Sequence, residues 1–172
     1  MSAPAGVLIT AAAAELLERL QDRHGPVMFH QSGGCCDGSS PMCYPRGDFL
    51  VGDRDVLLGV LDVGPQGSEG VPVWISGPQF EAHYGGEKHT QLVIDVVPGR
   101  GGGFSLEAPE GVRFLSRGRV FTDDEKAELQ AVPVITGAAY ERGERPSVRG
   151  QVVAFDSGAA PGMCPTGSRE PQ

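Results

Sequence analysis

The longest apolar runs of this chain, around residues 56–63 and 92–97, are only the length of a β-strand, and glycine or proline clusters separate one run from the next. The 26 Gly and 14 Pro make up about 23% of 172 residues, which excludes an all-helical bundle and calls for many turns between short strands. None of the runs approaches the roughly 18 apolar residues of a membrane-spanning helix, so no integral membrane segment is expected. The length and a 40% hydrophobic share are those of one globular domain.

The net charge of −8 sets up a field that repels phosphate backbones, so nucleic acid is not expected as a partner. The N-terminus opens Met1-Ser2-Ala3-Pro4 without a basic region, and Glu15, Glu18 and Arg19 follow its alanine run, so a secretory signal is not expected and the chain reads as cytoplasmic. In that setting Cys35, Cys36, Cys43 and Cys164 read as reduced thiols, available as ligands or nucleophiles.

Thr10 caps an amphipathic helix whose Ala13, Leu16, Leu17 and Leu20 repeat at helical spacing, and His24-Gly25-Pro26 ends it. Strands are expected at residues 26–30, 55–63, 71–76, 90–97, 103–108 and 112–121, with a short helical turn starting near Gly77. Their spacing of about 8 to 15 residues favours antiparallel pairing over strand-helix-strand crossovers. Thr122-Asp123-Asp124-Glu125 is a capping box for a second helix, expected to run to Gln130 and close the core. Beyond residue 137 the composition turns to Gly, Arg, Glu, Pro and Ser around one strand-like island, residues 151–155. The expectation is a compact, mostly antiparallel α+β domain over residues 1–131, with a loosely attached, partly disordered extension over residues 132–172. Exposed strand edges are compatible with a homodimer.

The densest chemical signal lies between the first two strand-like segments, in His30-Gln31-Ser32-Gly33-Gly34-Cys35-Cys36-Asp37-Gly38-Ser39-Ser40-Pro41-Met42-Cys43-Tyr44. Glycines let the backbone approach a bound ion closely, and Cys and His suit iron, zinc or copper. The expected ligand set is Cys35, Cys36, Cys43 and His30, with His89 joining from a second polar loop and Cys164 a bystander. The spacing is not that of a zinc knuckle. Two other readings of the same residues stay open: the cysteines are small buried hydrophobes, or His30 or His89 activates Cys35 or Cys36 as a catalytic thiolate. The Pro98-Gly99-Arg100-Gly101-Gly102-Gly103 segment lacks the Lys-Ser/Thr ending of a phosphate loop and reads as a hairpin connection.

The stretches from Met28 to Pro45, from His89 to Leu92 and from Val96 to Pro109 resemble the uncharacterised family of small bacterial proteins often encoded beside aldehyde dehydrogenases. The resemblance covers residues 11–121 and implies an accessory role to an aldehyde-oxidising enzyme, with that dehydrogenase as partner. More remotely, the order of elements around Gly33-Gly34-Cys35 and Gly103-Phe104-Ser105-Leu106-Glu107-Ala108-Pro109 is similar to the A-type iron-sulfur carriers of HesB-like fold. That likeness implies an iron-sulfur cluster with Cys35 as its first ligand. The carriers' closing Cys-Gly-Cys pair has no counterpart in residues 115–121, so a cluster would recruit Cys36, Cys43 or a histidine. The function expected on these grounds is that of a metal- or iron-sulfur-binding accessory protein, against a small thiol-dependent enzyme or a non-catalytic partner of the dehydrogenase.

Overall fold

A computed structural model of the chain describes residues 4–31, 41–65, 67–84, 90–99 and 105–153. The first strand, β1 (Val7–Thr10), runs directly into α1 (Ala11–His24), whose N-cap is Thr10: its side chain accepts from the Ala13 amide at 3.3 Å. Ala13, Leu16, Leu17 and Leu20 form the buried stripe, and Gly25, at φ 78°, takes the left-handed turn that ends the helix. Then follow β2 (Val27–Gln31), β3 (Met42–Pro45), β4 (Val56–Leu61) and β5 (Val71–Ile75). A helical turn α2 (Gly77–Gln79) continues as a wider π turn (Phe80–Tyr84). After it come β6 (Thr90–Pro98), a 3-10 turn (Ala108–Glu110), β7 (Val112–Val120), α3 (Asp123–Leu129), β8 (Ile135–Thr136), α4 (Gly137–Glu141) and β9 (Val152–Val153).

The strands form two sheets, one in the order β7-β6-β1-β9 and one in the order β3-β2-β5-β4-β8. Pairs formed by consecutive strands, β2–β3, β4–β5 and β6–β7, are antiparallel, as the short connections require, and β4–β8 is antiparallel too. The sheets are nevertheless mixed: β1–β6, β1–β9 and β2–β5 are parallel, and each joins strands that are distant in sequence. Spacing along the chain reports only on neighbours, so these pairings were not visible in it.

The main core lies between the sheets and under α1. Val7, Ile9, Leu92, Ile94 and Phe114 from one sheet meet Val27, Phe29, Val71, Val73 and Ile75 from the other, all fully buried. Phe29 and Phe114 meet edge to face at 4.8 Å across the two layers. A second cluster covers the opposite face of the five-stranded sheet, where Met28, Leu57, Val60 and Trp74 pack against Ile135 and Ala139.

Two expected elements come out differently. The described part of the segment 103–108 is a turn and not a strand, with the Ala108 amide bonded to the Ser105 carbonyl at 3.1 Å before Pro109. The helix α3 forms with both bonds of its capping box but buries no residue, so it does not close the core; its acidic first turn stabilises a helix end without supplying an apolar face. Residues 132–153, expected to be loosely attached, carry β8 and β9, which pair with β4 and β1. Few large apolar groups suffice for this docking, because Ile135, Ala139 and Tyr140 land on Trp74 and its neighbours. Residues 154–172, including Cys164, lie outside the described residues.

Candidate functional site at the root of the cysteine loop

Strands β2 and β3 pair with Phe29 opposite Cys43 and His30 opposite Met42, and the segment that joins them holds Cys35 and Cys36. Both of these cysteines, and His89, lie outside the described residues. His30 and Cys43 are described, and the alternation of side chains along a strand separates them. Cys43 shares the inner face with Phe29 in the main core, whereas His30 lies on the outer face with Met28. They do not meet in one site.

His30 is 4% exposed, and its Nε2 lies 3.1 Å from Oδ2 of Asp55. The same carboxylate oxygen accepts from the Gly52 amide at 2.9 Å, and the Asp55 amide returns a bond to the Gly52 carbonyl at 3.1 Å, so a tight turn before β4 fixes the carboxylate. The Phe49 ring lies 4.4 Å from the imidazole and stacks in turn on Tyr44 at 4.8 Å. The contact is a hydrogen bond when Nε2 carries a ring proton, which the Asp55 carboxylate then accepts.

On the inner face the environment is opposite in character. The Cys43 amide donates to Ser105 Oγ at 2.9 Å, and its carbonyl accepts from the Leu106 amide at 3.1 Å, which ties the edge of β3 to the connection between β6 and β7. Ser105 Oγ in turn donates to Glu107 Oε2, and both residues are nearly fully buried. Desolvation pushes the Cys43 thiol well above its ordinary range, and the charge of Glu107 pushes it further. Cys43 is thus a protonated core thiol, not a thiolate. One residue before the loop, Gln31 reaches across the core with its Oε1 accepting from Ser116 Oγ at 2.6 Å.

Among the described residues no group of three or more His, Cys, Asp or Glu side chains is placed to hold a metal ion. Asp55, Ser105 and Glu107 are not among the expected site residues, since they fall in segments expected as strands, 55–63 and 103–108, whose spacing says nothing about what each side chain faces. Asp55 lies 25 positions from His30 and meets it only because β4 lies in the same sheet as β2.

Together these features define an α+β protein of two mixed sheets in which strands β2 and β3, joined by the cysteine-bearing segment, meet a part-buried histidine-carboxylate pair on one face and a buried serine-glutamate pair on the other. The chain belongs to the family described as a domain of unknown function, DUF779, whose model matches residues 16–120, more than half of its length. The match runs from within α1 to the end of β7 and leaves β1 and the docked segment 132–153 outside it. Comparison with curated proteins found no match, and comparison with solved structures found none. No helix among the described residues is long and apolar enough to cross a membrane.

Proposed function

We propose that this protein is a metal-binding accessory protein whose centre is built on the outer side of the loop root, with His30 and the thiolates of Cys35 and Cys36 as ligands and Asp55 orienting His30. The observation that supports this reading is the part-buried contact between His30 and Asp55. Metal-ligating histidines regularly donate their second ring N–H to a carboxylate, which fixes the tautomer and raises ligand basicity. Cys43 is left out of the set because it faces the core on the other side of the sheet; His89 remains a candidate further ligand. The donor types suit zinc or iron, and an iron-sulfur cluster would draw on Cys35 as in the A-type carriers. The partner served is an aldehyde-oxidising enzyme, a proposal that rests on the family resemblance alone.

Elemental analysis and a visible spectrum after tag-free anaerobic purification test the reading. Stoichiometric metal is expected in the wild type and in Cys43→Ala, and its loss in Cys35→Ser and Cys36→Ser. Asp55→Asn is expected to weaken the metal by about 10- to 100-fold, the usual cost of losing such a supporting carboxylate. A folded wild type without metal would overturn it.

The same histidine-carboxylate pair supports a second reading, a thiol-dependent enzyme in which His30, held by Asp55, deprotonates Cys35 or Cys36. It requires one cysteine that alkylates fast at neutral pH in the metal-free protein, and uniformly slow alkylation removes it. A non-catalytic partner of the dehydrogenase would co-elute with it even with every cysteine replaced by serine.

A further inference from the structure

The chain carries 22 acidic and 14 basic residues, yet three arginines gather at one place on its surface. Gly143, at φ 101°, turns the chain back after α4 and brings Arg145 over Tyr140, with the guanidinium carbon 3.5 Å from the ring centroid. Arg145 Nη1 donates to the carbonyls of Tyr140 at 2.7 Å and Glu144 at 2.8 Å, so the side chain is held in place by a ring and two carbonyls. Among the described residues none of its contacts is to a carboxylate, and none bonds its Nε or Nη2. Arg149 Nη1 is anchored to the Ser68 carbonyl at 3.0 Å and more loosely to Asp62 at 3.4 Å. Arg46 bonds the Tyr140 hydroxyl through Nη2 at 3.1 Å and Glu69 through Nη1 at 2.9 Å. Arg145 and Arg149 line a cavity of about 210 Å³ together with Tyr140 and Glu69, over Val60 and Pro72; Arg46 stands behind it, on Tyr140 and Glu69.

We infer that this cavity binds a small dianion that presents paired oxygens, either a phosphate or a dicarboxylate. A guanidinium held flat by stacking offers its remaining N–H groups as a preformed fork, the geometry that suits such oxygens. Nearby carboxylates do not neutralise it. Glu144 is paired with Arg142 at 3.0 Å and Glu69 with Arg46 at 2.9 Å, while Asp62 reaches Arg149, and not Arg145, at 3.4 Å and also accepts from Gln151. The Glu69 side chain is 74% exposed, and an exposed ion pair of this kind is weak enough for a ligand to displace. Tyr140, Arg145 and Arg149 stand on the docked segment outside the matched family region, while Val60, Glu69 and Pro72 lie within it; no cysteine or histidine lines the cavity, so it stands independently of the metal reading.

Calorimetric titration of the full chain at constant ionic strength, with inorganic phosphate in one arm and succinate in the other, tests the inference. Saturable one-to-one binding is expected in at least one arm, and the responding arm names the ligand class. Arg145→Gln and Arg149→Gln should each weaken it at least about tenfold, the value of a lost charge-assisted hydrogen bond. Arg145→Lys, which keeps the charge but not the fork, should weaken it too. Glu69→Gln should strengthen it by about two- to threefold by removing the competing carboxylate. Arg23→Gln, on α1, serves as the control and should bind as the wild type. No saturable binding of either probe up to about 10 mM, or wild-type affinity in a folded Arg145→Gln, overturns it.

Discussion

Burial lifts the carboxyl of Glu107 above its ordinary pKa, while bonds from Ser105 and from the backbone amides of Glu107 and Phe114 act in the opposite direction without cancelling it. The folded state therefore binds this proton more tightly than the unfolded chain. Its contribution to stability is complete below the unfolded pKa and is lost as the pH rises through the higher folded value. Melting temperature measured against pH should show this decline in the wild type, upward from the ordinary carboxylate range, and a flatter profile in Glu107→Gln. Glu125 behaves in the opposite sense: the bond from Arg119 lowers its pKa, so its contribution is present above the unfolded value and is lost as the pH falls through the folded one. Beside Glu107, the buried Cys43 should alkylate far more slowly than a free thiol in the native protein and at the ordinary rate once denatured.

Both principal helices begin at a threonine cap, and the surroundings decide what each cap is worth. Thr10 accepts from Ala13 and donates to buried Asp95 at 2.9 Å, and Asp95 is also bonded by Arg117 at 2.8 Å. Thr10→Ala thus removes a cap and a bond to a buried carboxylate together, and chemical denaturation should report a loss of about 2–4 kcal/mol. Thr122 completes its capping box at the surface of a helix that buries nothing, so Thr122→Ala should cost only about 0.5–1 kcal/mol. Equal losses in the two variants would show that the Asp95 contact adds nothing.

The molecule closes through its C-terminal segment. Gly150 donates to the Val60 carbonyl at 2.7 Å and accepts from the Asp62 amide at 2.8 Å, and a Cβ at this position would collide with the Val7 carbonyl oxygen. Tyr140 meets Trp74 edge to face at 5.3 Å. Truncation after residue 131 would strip β8 and the cover of Trp74 and Leu57 from the five-stranded sheet, and β9 from the four-stranded one. At about 1.5–3 kcal/mol for each large side chain returned to water, the loss should be several kcal/mol out of a typical 5–15. A much lower melting temperature or the loss of cooperative unfolding is expected, and an unchanged transition would show that this segment adds no stability.

Local rules were sufficient for the α+β class, the helix from Thr10 to His24, the capping box at Thr122 and the strands β4 to β7, because spacing, caps and glycine stops act over a few residues. They also marked His30 and the cysteine segment as the place where chemistry could sit. They could not pair β1 with β6, bring Asp55 to His30, or put Cys43 and His30 on opposite faces of one sheet. Those relations depend on which distant strands share a sheet and which face each turn meets. Residues 132–153 look loose by composition and are held by a few contacts to Trp74, Val60 and Val7. Tertiary packing alone decided these points, because burial and hydrogen bonding between remote segments outweigh the local preferences written along the chain.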